Sequence, residues 1–583
     1  MICTNSTTQH TRKLPFTVLA FLLTVIHFAF LMVYFEPAIS TPDAQGYFAQ
    51  AKLIAKQGKT YLEPESIVQY VGPHWLHRSD NHYFTTFPPG LPTILAVIYK
   101  ILGPKATLIV NPLMASLALF GLFLLCRLLI GGGWALLAVA LMAVNPFANE
   151  HALFGDSHTA VIFFLIWALF FLVKWLKADS PWWALLTGLF IGAIPTIRYP
   201  EVLFTVAFGI FVLIYFIEKE IAWRSFAAGV VGVVIPISAL CIRNRMAFGA
   251  FWKTGYSLSN EPAQFGLTYF TSYALPYLQM LITRGCGLIF ILGVIGILVL
   301  CIRRNTRKQG VLFAMLVVPV TLVYMAYFWK PDPQSMRFLL PTFFVYTIAS
   351  VWLLYLLTKG YRLIAWGSSA ALFLITFFWG LPQLVRPLQR LKEQNAVLVK
   401  VTSIVEKHVE PGSILIANEG INQHLDFIGY WRLVDASILN FARQRPIELL
   451  TPSQNIHTQK VLRNVEARLK YENLKKQEVF NAFSQDVWQW AGKDRKVYWV
   501  ANEEQINGFK SQLSQYDKLV MIEKIELPEV RLDNFDMHHG PKPPTRWREQ
   551  LMVPQGPMGP NQIFDIILSG EPLFLVEWIR GFQ

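Results

Sequence analysis

The chain has 583 residues, 54% of them hydrophobic and only 15% charged, with a mean hydropathy of +0.40. That composition excludes an ordinary soluble globule and a disordered chain, and defines a polytopic membrane protein with a soluble part attached. The formal charge of +14 is uneven: residues 1–381 hold 26 Lys+Arg against 13 Asp+Glu and residues 382–583 hold 25 against 24, so the basic excess lies in the membrane half, where it suits anionic lipid and not nucleic acid.

The first apolar run, Leu14 to Phe35, is too long for a signal h-region and reads as an uncleaved span, although Ala38-Ile39-Ser40 makes a weak cleavage-like triplet. Just beyond it, Thr41 can cap a helix, Pro42 suits the first turn, and Asp43 falls in that turn, where the helix dipole favours a carboxylate. Ala44, Tyr47, Phe48, Ala51, Ile54 and Ala55 share one face of this helix, with Gln45, Lys52, Lys56 and Lys59 on another, and Gly58 is placed to end it. Asp43 is therefore either a catalytic base held at the lipid surface or an acid that merely complements the helix start. The stretch from Pro88 to Leu102 begins with prolines and is too short to span, so it reads as re-entrant or interfacial.

Candidate spans follow at 14–35, 106–130, 134–148, 157–175, 182–197, 200–217, 225–242, 284–302, 311–329, 338–358 and 363–381, about eleven in all. Parity puts the N-terminus inside and residues 382–583 outside. The loops then assigned inside carry Arg12-Lys13, Arg127, Lys174, Lys177, Lys219, Arg224, Arg303-Arg304, Arg307-Lys308, Lys359 and Arg362, in accord with the positive-inside rule. The large outside segments are 36–105, 243–283 and 382–583. All five cysteines lie in the membrane half without metal or redox spacing. No internal repeat is evident, which argues against an inverted-repeat transporter. In the last segment, Ser413–Ala417 and Val497–Val500 read as buried strands, Glu503–Leu513 as a helix and Lys518–Ile525 as a further strand, giving a small three-layer α/β domain without a glycine-rich nucleotide loop. Gly540 to Pro560 reads as an extended strap or linker.

Polar residues at span ends are functional candidates. Glu150, Asp156 and His158 fall in the short loop between the third and fourth spans, where Asp156 also suits the start of the next helix. Arg198 and Arg337 stand at span ends, and Arg243, Arg245 and Lys253 extend the basic set. Each can snorkel to the interface, and each arginine can also fork onto phosphate oxygens in a low-dielectric site. Such a face suits an anionic lipid-phosphate substrate and a hydroxyl acceptor.

Six pieces carry a family resemblance. They are Pro42-Asp43-Ala44 with Tyr47, Tyr83-Phe84-Thr85-Thr86-Phe87-Pro88-Pro89-Gly90, Gly155-Asp156-Ser157-His158, Gly188 to Pro200 ending in Arg198-Tyr199-Pro200, Phe248-Gly249 to Gly255-Tyr256, and Arg337-Phe338-Leu339-Leu340-Pro341. In order and topology the chain resembles the GT-C glycosyltransferases, which take sugar from a polyprenyl-phosphate carrier. Within them it is most similar to bacterial relatives of the protein O-mannosyltransferases and of the lipid A aminoarabinose transferase. It departs from the first in having Ala44 after Asp43 where they pair two acids, and from the second in having Thr86 and Phe87 where they have a lysine. The resemblance covers about the first 350 residues and implies a mainly α, GT-C membrane domain over 1–381, with juxtamembrane helices in 41–105; the α/β domain over 382–583, extracytoplasmic by parity, resembles no known family. It implies Asp43 as general base, inversion at the sugar, and Arg337, Arg198, Arg243, Arg245 and Lys253 around the donor phosphate. Asp156, Glu150 and His158 would orient the acceptor or hold a divalent metal ion, and Tyr47, Tyr83 and Tyr256 would line the donor or acceptor pocket. The expected partners are the polyprenyl-phosphate-linked sugar, a glycan, lipid or protein acceptor, and the bilayer of a bacterial inner membrane. The rival readings are a non-enzymatic carrier or flippase for a lipid-linked glycan, and a sensor or assembly factor. The carrier would not need Asp43 at the outer surface or a large outer domain.

Overall fold

Every apolar run forms a helix, because backbone groups in lipid can bond only one another. The computed structural model describes residues 13–78, 81–258, 265–329, 331, 335–436, 438–439, 470–471, 474–513, 516–527 and 571–581. Among these, eight helices are long and apolar enough to cross a membrane: Pro15–Tyr34, Val110–Leu129, His158–Ala178, Tyr199–Ile217, Trp223–Phe248, Arg307–Met325, Leu340–Thr358 and Arg362–His408. Gly132–Ala143 with Pro146–Leu153, bent by 63°, and Leu267–Gly285 with Leu288–Ile302, bent by 117°, qualify only as pairs, and Pro181–Ile197 is apolar but shorter. All the expected runs are thus helical and in order, but full-length spans number eight, or ten with the bent pairs. The breaks have local causes. Asn145 is extended and caps a new helix that starts at Pro146, and Gly287 takes φ +59°, a left-handed conformation that suits glycine.

The helices Pro181–Ile197 and Trp223–Phe248 cross closely through small residues: a Cβ on Gly188 would come 2.1 Å from the carbonyl of Gly229. The last span does not stop at the expected boundary. It continues as one 47-residue helix, Arg362–His408, whose far end enters the soluble domain.

The juxtamembrane helix Pro42–Gln57 forms as its sequence dictates, with Thr41 Oγ1 accepting from Ala44 N, Pro42 in the first turn and Gly58 at φ +67° closing it. Its surroundings differ from the expected interfacial helix. Residues 44–51 are all buried, including Gln45 and Gln50, because the soluble domain reaches Gln45 through Asp426 and the juxtamembrane strand Tyr83–Thr85 meets Gln50 through Thr85. Next come three short strands, β1 (Tyr61–Leu62), β2 (Trp75–His77) and β3 (Tyr83–Thr85), paired antiparallel in the order β1-β3-β2. The 13-residue helix Gly90–Leu102 then packs on Pro42–Gln57. At about 1.5 Å per residue it is too short to span, as expected.

The soluble domain is a five-stranded mixed sheet of β4 (Ile414–Ala417), β5 (Arg432–Asp435), β6 (Val497–Asn502), β7 (Lys518–Ile525) and β8 (Leu573–Ile579), in the order β5-β4-β6-β8-β7. β4 runs parallel to β5 and β6, and β8 antiparallel to β6 and β7. One face is covered by the end of the long helix, through Val397, Val401 and Val405, and by helix Glu419–Ile428. The other face is covered by helix Lys476–Ala491 through Val479, Phe483 and Val487. This is the expected three-layer arrangement. The Gly540–Pro560 strap lies outside the described residues.

Candidate active site

The first turn of Pro42–Gln57 brings Asp43 between an imidazole and a guanidinium from other elements. Asp43 Oδ1 lies 3.0 Å from His74 Nε2, and Oδ2 lies 3.2 Å from Arg337 Nη2. All three side chains are partly exposed. Arg337 comes from the short turn Ser335–Phe338 that precedes the Leu340–Thr358 span. His74 comes from the segment leading into β2, and its carbonyl accepts from Thr86 N at 2.8 Å.

A continuous set of contacts extends from this triad. The His74 ring lies 5.0 Å from Phe87, which stacks on Tyr47 at 4.4 Å. Tyr47 OH donates to Ser157 Oγ at 2.8 Å, and burial pushes this phenol well above its ordinary range, so it stays a donor. Ser157 Oγ also accepts from Arg198 Nη1 at 3.4 Å. Arg198 Nε donates to Glu201 Oε1 at 3.1 Å, which compensates its buried charge. Tyr324 stacks on Phe338 at 4.8 Å, and the Arg198 and Arg337 guanidinium groups lie 5.8 and 5.3 Å from the same Phe338 ring. Tyr256 joins from the other side, 6.4 Å from Phe87 and 5.5 Å from Tyr199.

Arg243 differs from the other arginines. It is 8% exposed, near the end of Trp223–Phe248, with its guanidinium 4.8 Å from the Phe248 ring. Nη1 reaches Tyr199 OH and Asn244 Oδ1 at 3.4 Å each, but Nε and Nη2 have no partner among the described residues. Those two nitrogens form the side-on fork that matches two oxygens of a phosphate. A buried guanidinium without a carboxylate is costly, and an anionic ligand would repay that cost.

Asp156 faces inward. Oδ2 lies 2.5 Å from His151 Nδ1, and Oδ1 accepts from His158 N at 3.1 Å, where the next helix begins. This geometry supports the helix-start alternative. His158 is buried beside Phe338, 6.0 Å between rings. Glu150 lies half-buried on Pro146–Leu153. Tyr83 is buried in β3 of the small sheet beside His77, 4.9 Å between rings, and packs with Ala49, Val71 and Trp75. Arg245 and Lys253 are exposed and stand apart from the cluster. Among the described residues no group of three or more His, Cys, Asp or Glu side chains could hold a metal ion. Asp43 offers one carboxylate and one neighbouring imidazole, with a guanidinium on its second oxygen, a set that does not fit a divalent cation.

His74, Ser157, Asn244 and Tyr324 were not singled out by sequence. Ser157 lay inside a quoted motif, but nothing in the spacing ties His74 or Tyr324 to Asp43.

A multispan membrane bundle with this carboxylate–guanidinium cluster at the end facing an α/β domain has the GT-C glycosyltransferase fold. The structure is similar to that of ArnT from Cupriavidus metallidurans bound to undecaprenyl phosphate, with a TM-score of 0.55 and 10% identity over 87% of this chain and 96% of that one. The oligosaccharyltransferase of Archaeoglobus fulgidus, solved with a tethered acceptor peptide, gives a TM-score of 0.45 and 12% identity over 84% of this chain and 69% of that one. The model of the dolichyl-phosphate-mannose-protein mannosyltransferase family matches residues 86–240. No curated protein sequence matches the chain.

Proposed function

We propose that the protein transfers a sugar from a polyprenyl-phosphate carrier to the hydroxyl of an extracytoplasmic acceptor, with inversion, and that Asp43 is the general base. The observation that carries this reading is the carboxylate of Asp43 held between His74 and Arg337 at the domain-facing end of a GT-C bundle. The ArnT structure was solved with undecaprenyl phosphate, which supports a donor of that kind. The acceptor oxygen attacks the anomeric carbon as the bond to the phosphate oxygen breaks. The acceptor proton passes to Asp43, and the lipid phosphate leaves with the electron pair. Arg337 and the open edge of Arg243 face the charge that grows on that phosphate, and Arg198 adds positive potential from behind Ser157. Tyr47 and Tyr256 line the pocket. The protein resides in a bacterial inner membrane, with its soluble domain outside the cytoplasm.

The test is direct. The purified protein is given a panel of undecaprenyl-phosphate-linked glucose, mannose and aminoarabinose, with an envelope extract as acceptor, and free undecaprenyl phosphate is measured. An enzyme releases it. A carrier or flippase returns every donor intact, and that result would overturn the reading.

A further inference from the structure

The soluble domain grips both halves of the Asp43–His74 pair, through two consecutive elements. Helix Glu419–Ile428 holds the helix of Asp43. Asp426 Oδ2 accepts from Gln45 Nε2 at 2.9 Å, two residues from Asp43. Lys52 Nζ donates to the carbonyls of Asp426 and, at 2.7 Å, of Gly429. Phe48 packs edge-on against Phe427 at 5.1 Å. His424 Nδ1 accepts from Ile39 N at 3.2 Å, just before the helix begins.

The adjacent strand β5 holds the segment that delivers His74. Residues 68–70 lie antiparallel along its outer edge, with Gln69 opposite Val434. Tyr70 N donates to Leu433 O at 2.8 Å and Asp435 N to Val68 O at 3.3 Å. Val68 is wholly buried in the core of the soluble domain, and Tyr70 is buried on the other face of its sheet. Glu65 Oε2 accepts from Arg432 Nε at 2.8 Å and Trp490 Nε1 at 3.2 Å. Only Val71, Gly72 and Pro73 separate this docked segment from His74. Gly72 lies so close to the helix that a Cβ there would fall 2.0 Å from Gln45 Oε1.

We infer that the soluble domain is a positioning element of the active site, which sets the Asp43–His74 contact by clamping the Asp43 helix on Glu419–Ile428 and the His74 segment on β5. The segment is held along the open edge of the five-stranded sheet by an antiparallel bridge and two backbone hydrogen bonds, in the manner of β-strand addition. This rests on the proposed role of Asp43. His74 is a positioning residue: it holds one carboxylate oxygen so that the other can be presented to the acceptor.

Val68→Asp places a charge in the domain core and expels residues 65–72. Two readouts test it. Amide hydrogen exchange, which needs no substrate, should rise at 74–77 as well as at 65–72, while the spans stay protected. Turnover on the donor panel should fall about 10- to 100-fold, as for His74→Ala. In a His74→Ala background, Val68→Asp should add less than about twofold, because both act through one contact. If Val68→Asp does not fold, the Glu65→Ala, Arg432→Ala pair is read in the same cycle, with a smaller loss that also vanishes without His74. Losses that multiply, or faster exchange confined to 65–72, would overturn the inference. Neither result bears on Asp43 as base, which fails only if Asp43→Asn turns over normally.

Discussion

Arg337 Nη2 lies 3.2 Å from Asp43 Oδ2, so the residue read as a phosphate clamp and the residue read as the base neutralise one another before any substrate arrives. Both are partly exposed, so the pair contributes about 0–1 kcal/mol to stability. In the proposed reaction a donor phosphate would compete with Asp43 for Arg337, and its binding would free the carboxylate oxygen for the acceptor, so the donor is expected to bind before the acceptor.

Asp43→Asn should lower turnover at least about a hundredfold while melting temperature stays near wild type. The contrast is Asp156→Asn, which keeps the Oδ1 acceptor for His158 N but replaces the carboxylate oxygen against buried His151 with an amide donor. It should cost more stability, about 1–3 kcal/mol, and less turnover. Initial rates and thermal unfolding of the two variants decide between them; full turnover by a stable Asp43→Asn protein would move the base elsewhere.

Arg243 carries the clearest donor prediction. Arg243→Met removes a buried charge that has no carboxylate partner among the described residues, so the substrate-free protein should be as stable as wild type or more so. The same change should raise the donor KM about tenfold or more, the cost of a charge-assisted contact. Undecaprenyl phosphate should raise the melting temperature of wild type and not of the variant. An unchanged ligand response in Arg243→Met would remove Arg243 from the donor site.

Arg337→Ala should weaken donor use more than Arg337→Lys, since a point charge keeps some attraction for phosphate and loses the fork. Near-wild-type kinetics for both variants would leave Arg337 as a snorkelling residue.

Acid should loosen the junction between the domains. Burial, with a smaller contribution from Lys105, lowers His424 to about 3, and its Nδ1 must stay bare to accept from Ile39 N. Between that value and the ordinary 6.5 the unfolded chain binds a proton that the folded one refuses. Stability from this group is therefore whole above pH 6.5 and falls as pH drops toward 3, by up to about 1.4 kcal/mol per pH unit. His424→Asn keeps an acceptor without the titration, so its unfolding temperature should depend less on pH between 4 and 6.5. Superimposable pH profiles would refute this.

Orientation is testable with one thiol. Asn507 is exposed on helix Glu503–Lys510 of the soluble domain. Asn507→Cys should react with a membrane-impermeant maleimide in intact spheroplasts. Labelling only after lysis would place the domain in the cytoplasm.

Local signals were legible in the sequence where a single element decided the outcome. Thr41, Pro42 and Gly58 bound the Asp43 helix as their chemistry requires, and the apolar runs became helices in order. Relationships between distant segments were not legible. Gln45 and Lys52 read as a solvent-facing stripe because nothing local announces that Asp426 and Gly429 will cover them. β8 was missed: it lies between β6 and β7, and its place there depends on pairings across the sheet. His74 was missed for the same reason, since its meaning comes from Asp43 across a fold. The arginines could be gathered by type, but only their partners separate Arg198, compensated by Glu201, from Arg243, with its open edge.

The helix Arg362–His408 joins bilayer to soluble domain without a linker. At about 1.5 Å per residue its 47 residues, with Pro382 and Pro387 inside, make a continuous helical connection about 70 Å long. Such a connection fixes phase as well as distance. One residue inserted after Arg390 would turn everything beyond it by about 100°, carrying Glu419–Ile428 and β5 out of register with the segments they grip. Length changes that a loop would absorb have nowhere to dissipate here.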